Sequence, residues 1–243
     1  MINVYWSSIN DPHQEDFSIM YEEPQSLFKE KVANKQKDRL TDNPGFDECT
    51  AFQDIGVHTL VIKNPIQTHY EFGDIYIPNS QTPIKPVSKN YIAAEILRDK
   101  VLNNQILFDY HMAHIFFADA PLEIMLSSPY FHKAGYMNYG AIVPGRYDIG
   151  SWFRPLRFEI NLFEGIKEFK IEEDEPLAYV TFNTKEKIKL HKFHMSEKLY
   201  NIAVACANSS FWWAGTPLVK RYAKFHASQS QKKVLQEIKL NLI

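Results

Sequence analysis

Apolar and polar residues alternate along the middle of the chain, which is the pattern of β-strands. From Gln105 to Phe117 the apolar side chains recur at every second position, so this segment predicts one long strand. The sequence THYEFGDIYI, with Gly73 and Asp74 at its centre, predicts a hairpin. Short runs rich in β-branched and aromatic residues predict further strands, at His58–Lys63, Leu122–Leu126, Arg157–Phe163, Glu168–Ile171, Leu177–Asn183 and Lys187–Phe193.

Helical patterns lie toward the two ends of the chain. The segment Pro24–Asp38 has partial helical spacing, and its proline suits a first helical turn. After the strands, Ser196 can cap a helix over EKLYNIAVACAN through its hydroxyl. Thr216 followed by Pro217 opens another helix, which is predicted to run toward Ile243.

These elements predict a mainly β (α+β) fold, with an antiparallel, β-clip-like or barrel-like domain and peripheral N- and C-terminal helices. A chain of 243 residues, of which 45% are hydrophobic, can bury one sizeable core, so we expect a single domain. Its parts are a helical or irregular extension at 1–56, a β-domain at 57–195 and helices at 196–243.

Charge and cysteine content exclude several classes of protein. The formal net charge of -2 gives no electrostatic reason to expect binding to duplex nucleic acid. Cys49 and Cys206 form no CxxC pair, which indicates a reducing compartment without a disulfide framework. No run approaches the roughly 18 apolar residues of a membrane span, and the first residues do not have the pattern of a signal peptide. We therefore expect a soluble protein.

Common catalytic motifs are absent, namely GxxxxGK[ST], GxGxxG before a helix, HExxH and GxSxG. Histidines offer a different chemistry. His69 and Glu71 lie two residues apart on a predicted strand, so their side chains share a face and could supply two ligands of a two-histidine, one-carboxylate iron site. The third ligand would be His111, His114 or His132. An ordinary hairpin is the alternative.

Trp152, Arg154 and Arg157 follow a glycine and proline turn. An aromatic plane beside guanidinium groups suits an anionic ligand. In the alternative, Trp152 plugs the end of a barrel and Arg154 satisfies carbonyls of the turn. The aromatic run at 211–213 is predicted in a loop, where it either anchors a partner or packs on the sheet. The acidic run at 172–175 is predicted to be a solvated hairpin turn between two strands.

Three motifs follow one another over about a quarter of the chain: SSP at 127–129, GAIVPG at 140–145 and FKIEEDEPLAYVTF at 169–182. Their order and spacing within 121–183 resemble the β-clip fold of dUTPases and dCTP deaminases. In that family the serine-containing strand end binds phosphate, and the glycine and proline turn holds the carboxylate that is catalytic or orients water. The resemblance implies that Ser127 and Ser128 contact an anionic ligand.

This sequence departs from the family at functional positions. Leu126 stands where the family has an arginine, and Val143 stands where it has the aspartate of the turn. Acidic residues and Pro176 replace the glycine and arginine that precede the closing strand. Without a carboxylate at Val143 no group is evident to orient a hydrolytic water. We therefore expect no dUTPase activity.

The whole chain, from MINVYW through GSWFRP to the closing QEIK segment, also resembles a family of tailed cyanobacterial phages with bacterial relatives. That resemblance implies a viral origin. We predict a non-catalytic phage accessory protein that uses no cofactor and acts in the cytoplasm of the infected cell or in the virion. It would bind a small anionic or nucleotide-like ligand through Ser127, Ser128, Arg146, Trp152, Arg154 and Arg157. The alternatives are an oligomeric virion protein, trimeric by the β-clip resemblance, and a non-haem iron oxygenase that uses His69, Glu71 and His111.

Overall fold

The structure, a computed structural model, describes residues 1–9, 20–31, 50–73, 84–99, 105–212, 220 and 230–243. Of these residues 41% lie in strands and 22% in helices, so the fold is mainly β, as predicted. The helices are α1 (Thr50–Val57), α2 (Glu197–Trp212) and α3 (Ser230–Leu240), with a 3-10 turn at Gly135–Asn138 and helical backbone at 27–31. The strands are β1 (Ile2–Ser8), β2 (Gln25–Ser26), β3 (Thr59–Lys63), β4 (Thr68–Phe72), β5 (Ile84–Pro86), β6 (Ala94–Asp99), β7 (Gln105–Tyr110), β8 (His114–Ala118), β9 (Glu123–Ser127), β10 (Gly140–Ile142), β11 (Gly145–Asp148), β12 (Phe158–Leu162), β13 (Glu168–Ile171), β14 (Pro176–Phe182) and β15 (Ile188–Lys192).

The strands form four sheets. Their strand orders are β15-β1-β8, β10-β12-β7-β6, β11-β9-β14-β3-β2 and β13-β4-β5. All neighbouring strands are antiparallel except β1 and β15, which are parallel. Within the described parts of the chain none of the sheets closes into a barrel. The antiparallel fold class is confirmed, whereas its barrel-like form is not the one adopted.

The segment 1–56 is not only a helical or irregular extension, because it supplies β1, the central strand of a sheet. Trp6 lies opposite Phe116 of β8 on one side and Lys192 of β15 on the other. Val4 and Trp6 are fully buried, and almost every residue of β1 is buried on either face. A strand that is covered on both faces does not need polar residues at alternate positions. For this reason β1 was not predicted from the alternation of apolar and polar residues.

The predicted strand Gln105–Phe117 is two strands in two sheets. The chain leaves the sheet of β7 after Tyr110 and enters the sheet of β8 at His114. The apolar alternation continues across the break, because Met112 between the two strands is also buried. Alternation reports which side chains are buried and not which sheet buries them.

Other predicted boundaries are confirmed in part. Ser196 caps α2, since its Oγ accepts a hydrogen bond from the Leu199 N–H at 3.3 Å. In Pro24–Asp38 the structure shows β2 and then helical backbone at 27–31, and the remainder lies outside the described residues. The predicted turn at Asp74 and the helix start at Thr216 also lie outside them. The first strand of the predicted hairpin is β4, which pairs with β13 and β5.

The five-stranded sheet has two different faces. Its inner face carries residues such as Ile124, Leu126 and Val180 into the main core. At one end of its outer face, Val61 and Tyr179 are covered by Leu27 and by Phe52 of α1. Burying each such side chain stabilises the fold by about 1.5–3 kcal/mol. The cover leaves the opposite end of the outer face, around β9 and β11, open to solvent.

Candidate functional site

The two serines of the SSP motif have different surroundings. The Ser128 Oγ accepts a hydrogen bond from the Ile142 N–H at 3.0 Å, which fastens β10 to the end of β9. Ser127 lies opposite Tyr179. Its Oγ is buried and has no hydrogen-bond partner among the described residues. The structure therefore uses Ser128 to hold the fold and places the Ser127 hydroxyl out of reach of a ligand at the surface.

Trp152 is buried, with 6% of its surface exposed, and presents no free face to a ligand. The Arg154 guanidinium lies over the indole, with Cζ 5.2 Å from the ring centroid, and its Nε donates to the Pro155 carbonyl at 3.4 Å. The indole also contacts Cys206 of α2. Burial raises the pKa of the Cys206 thiol to about 11, although Trp152 and the Arg154 charge partly oppose the rise. These residues pack α2 against the corner, as in the alternative interpretation of Trp152.

Arg157 belongs to a row of charged residues on the four-stranded sheet. Asp109 of β7 lies directly opposite Glu95 of β6 and Glu159 of β12. Like charges in directly opposed positions destabilise a sheet. The Arg157 guanidinium compensates them, because Nη2 donates to Asp109 and lies 3.6 Å from the Glu95 Oε1, while Nε lies 3.7 Å from the Glu159 Oε1. Arg157 is thus an internal counter-ion for three carboxylates.

The electrostatics of this row centre on Asp109, which is 1% exposed. Burial by itself would raise the pKa of Asp109, but the neighbouring His111 and Arg157 hold it below its ordinary value. Asp109 in turn raises the pKa of His111, with a smaller contribution from Glu95. The His111 Nε2 lies 3.7 Å from the Asp109 Oδ2 and 3.6 Å from the Glu95 Oε1.

Val143, the position where the β-clip enzymes carry their carboxylate, lies at the end of the same row. Its N–H donates to the Glu159 carbonyl at 2.8 Å, next to the paired residues Ile142 and Ile160. The sequence reasoning missed the neighbouring carboxylates because they come from three strands that are distant in the chain. The sequence carries little local signal of them, since Asp109 stands between the apolar residues Phe108 and Tyr110, and Glu159 fits the ordinary alternation of β12.

One group of three possible metal ligands occurs in the described part of the chain. Glu95, Asp109 and His111 have ligand atoms within 4.8 Å of one another. Carboxylate and imidazole groups suit a divalent cation. However, Arg157 already occupies Asp109. A metal ion at this place would have to displace the guanidinium.

The predicted iron site is not formed. His69 and Glu71 share β4, but the His69 Nε2 lies 3.2 Å from the Glu168 Oε2 of β13. Neither residue belongs to the group around His111. The two-residue spacing placed both side chains on one face correctly, and it could not report that β4 and β7 lie in different sheets.

His114 and His132, the other candidates for a third iron ligand, have separate surroundings. His114 lies in the core among aromatic rings. The His132 Nδ1 interacts with the Tyr179 hydroxyl at 2.5 Å, and its Nε2 lies 3.4 Å from the Glu30 Oε2. Lys63 Nζ lies 3.2 Å from the other oxygen of Glu30. This chain of polar contacts ties the helical residues 27–31 to β14.

Arg146 is the predicted arginine that remains available. It is exposed on β11, an edge strand, and makes no hydrogen bond or ion pair with any residue that the structure describes. In the sheet it lies opposite Met125, which lies opposite Thr181 on its other side. These three residues border a depression of about 200 Å³ at the open end of the outer face. Its other polar lining residues are Glu123 and Asn183.

The last two features of the sequence are the aromatic run at 211–213 and the acidic run at 172–175. Phe211 and Trp212 belong to the last turn of α2 and not to a loop, while Trp213 lies outside the described residues. The acidic run 172–175 forms a turn between β13 and β14, as predicted, but the two strands belong to different sheets and form no hairpin. There the Glu175 carboxylate accepts a hydrogen bond from the Tyr136 N–H at 2.8 Å.

Two further findings bear on the class of protein. None of the helices in the described ranges is long and apolar enough to cross a membrane. When the chain is compared with known proteins, no family model and no curated protein matches it.

Proposed function

We propose that this protein is a non-catalytic binding protein that holds a small anionic or nucleotide-like ligand in the depression beside Arg146. The observation that carries the proposal is the contrast among three arginines. Arg154 packs on Trp152 and Arg157 neutralises Asp109, whereas Arg146 is exposed and unpaired among the described residues. A guanidinium group presents a planar fork of donors that matches a phosphate or carboxylate.

The rest of the depression suits a ligand with a polar body. The Asn183 amide offers both donors and an acceptor, and the Thr181 hydroxyl, which shares a hydrogen bond with the Thr59 hydroxyl at 2.9 Å, keeps an acceptor lone pair. Met125 is 39% exposed and supplies an apolar surface between them. The carboxylate of Glu123 repels a second anionic group. A molecule with one anionic end and a neutral ring, such as a nucleoside monophosphate, combines these properties.

The test is a calorimetric titration of the protein with inorganic phosphate, dUMP and dCMP. Replacing Arg146 by Gln removes a charge-assisted hydrogen bond of about 1.5–3 kcal/mol, so the affinity should fall about 10- to 100-fold. Arg146→Lys keeps the charge and loses the fork, and an intermediate affinity is expected.

Lys167→Gln is the matched control, since Lys167 is exposed in the turn before β13 and the change of charge is the same. Equal affinities of the Arg146→Gln and Lys167→Gln variants would contradict the site. Hydrolysis of dUTP or dCTP by the purified protein would contradict its non-catalytic character. The resemblance to tailed-phage proteins supports placing this role in an infected bacterial cell.

An oligomeric structural role is the second candidate, and exposed apolar residues near Ile243 favour it. Leu240 and Ile243 are 81% and 79% exposed. The backbone of this segment lies beside β15, where the Ile243 N–H donates to the Lys192 carbonyl at 3.1 Å. Light scattering should show a trimer that Leu240→Asp dissociates. A monomer at every concentration would exclude this role.

A further inference from the structure

A second cavity lies between residues 20–25, β3 and β8. It holds about 40 Å³ of open volume and is lined by Glu30, Lys63, Asn64 and His114, among others. A single water needs about 10–15 Å³ by this measure, so the cavity admits a polar group the size of a few waters.

His114 is one of the buried polar groups that line this cavity. It is 3% exposed, and its Nδ1 has no hydrogen-bond partner among the residues described. The imidazole stacks with Trp6 and Phe116, and the Tyr21 ring meets it edge-on with centroids 5.0 Å apart. Burial lowers the pKa of His114 to about 3, so the ring is neutral. A buried polar atom without a partner destabilises the fold, and a ligand that forms a hydrogen bond with it removes this cost.

The charges around the cavity are mostly negative. Glu22 and Glu23 are exposed at its rim, as is Asp174 across from them. Glu30 lies in the wall, where its Oε2 is buried 3.4 Å from the His132 Nε2. Among the described residues of the lining, Lys63 is the one cation, and its Nζ lies 3.2 Å from the Glu30 Oε1. Four carboxylates therefore face one lysine, and the lysine is already paired.

We infer that this cavity binds the primary ammonium group of an aliphatic amine. An ammonium group carries three donors and no acceptor, which complements the carboxylate of Glu30 and the lone pair of a neutral His114. The Tyr21 ring adds a surface that attracts cations. A diamine should bind more tightly than a monoamine, because the rim carboxylates Glu22 and Glu23 attract its second charge.

The experiment titrates the full chain with 1,4-diaminobutane, butylamine and butyrate, with calorimetry and the ¹⁵N resonances of the His114 ring as readouts. The diamine should bind most tightly, butylamine more weakly and butyrate not at all, and both amines should shift the His114 resonances. Binding of butyrate, or amine binding that leaves His114 unchanged, would overturn the inference.

Two variants test which carboxylates contribute to the binding of the amines. Glu22→Gln combined with Glu23→Gln changes only exposed side chains, and it should weaken the diamine about fivefold while leaving butylamine nearly unchanged. Glu30→Gln should weaken both amines at least about tenfold. Glu164→Gln, at an exposed turn elsewhere, is the control and should bind like the unmodified protein. If the rim variant binds the diamine as tightly as this control, the inference is wrong.

Discussion

At the scale of single residues, the same side-chain type takes different roles according to its neighbours. Arg154 covers an indole, Arg157 compensates three carboxylates and Arg146 faces solvent. The Arg157 guanidinium is already directed at three carboxylates, and the Arg154 guanidinium lies over the buried Trp152, so both are engaged within the protein, unlike Arg146. Proximity in the sequence grouped Arg154 and Arg157 with Trp152, whereas their contacts remove both from a binding site.

Replacing Arg157 by Leu should destabilise the protein. Asp109 would remain buried opposite Glu95 without its cation, which costs about 2–3 kcal/mol at pH 7. Because the folded pKa of Asp109 is depressed, this stabilisation exists above its unfolded pKa and is lost as pH falls through the folded pKa. The difference in the free energy of unfolding between the original protein and the Arg157→Leu variant should therefore shrink below about pH 4.

Urea unfolding at pH 7 and at about pH 4 measures both effects. Asp109→Asn in the Arg157→Leu background removes the uncompensated charge and should recover part of the loss. An Arg157→Leu variant that unfolds with the same free energy as the original at pH 7 would show that the row is stable without its counter-ion.

His114 should stay neutral in the folded protein well below the usual range of histidine. Its pKa falls from 6.5 to about 3 through burial, while the unfolded chain takes up the proton near 6.5. The unfolded state then binds more protons, so this residue reduces stability by about 1.4 kcal/mol per pH unit as pH falls below that value. The ¹⁵N shifts of the ring, recorded from pH 8 to 5, should remain those of a neutral imidazole over the whole range. Titration near 6.5 in the folded protein would contradict the burial.

At the scale of elements, close backbone contact decides which residues a strand tolerates. Gly140 starts β10 and lies opposite Leu162 of β12. A Cβ atom at this position would lie 2.4 Å from the Asn161 carbonyl oxygen and 2.9 Å from the Ile160 Cγ2. Real Cβ atoms essentially never approach other atoms this closely, and the obstacle includes backbone. The glycine of the GAIVPG motif thus has a packing role.

Gly140→Ala should lower the free energy of unfolding by about 1–3 kcal/mol, because β10 would have to move away from β12. Gly135→Ala is the matched control, since the nearest atom to its added Cβ is the Glu175 Oε1 at 3.4 Å. Chemical denaturation of both variants measures the difference. Equal stabilities would indicate that β10 shifts at no cost.

At the scale of the whole molecule, β1 joins distant parts of the chain. It is the only strand between β8 and β15 in its sheet, so its loss would leave both without a partner there. A second core, which includes Tyr5 of β1 and Phe193 just after β15, packs this region against α2 and α3. We therefore expect the first eight residues to contribute to the stability of the whole fold.

Trp6→Ala tests this dependence in a full-length chain. The side chain is fully buried, so its loss should lower the free energy of unfolding by about 3–5 kcal/mol. Ile243→Ala, at a residue that is 79% exposed, should change it by less than about 0.5 kcal/mol. Thermal unfolding followed by circular dichroism compares the two. A small effect at Trp6 would mean that β1 is peripheral.

Local patterns predicted the elements better than the site. β12, β13, β14 and β15 lie within a residue or two of the predicted strands. β12 and β13 alternate between buried and more exposed side chains, whereas β14 is an apolar run that is buried on both faces at 177–180. The row of Glu95, Asp109 and Glu159 could not be predicted. Those residues meet only because β6, β7 and β12 pair in that register, and pairing depends on contacts between distant segments.

The sequence by itself determined the mainly β class, most strand positions and the cap of α2 at Ser196, because alternation and capping depend on neighbours in the chain. Only the tertiary structure decided that β1 is central, that Gln105–Phe117 divides between two sheets and that Arg146 stays open to solvent while Trp152 does not. These outcomes follow from which faces bury one another. That choice is made by the summed packing of residues far apart in the sequence, and no local pattern records it.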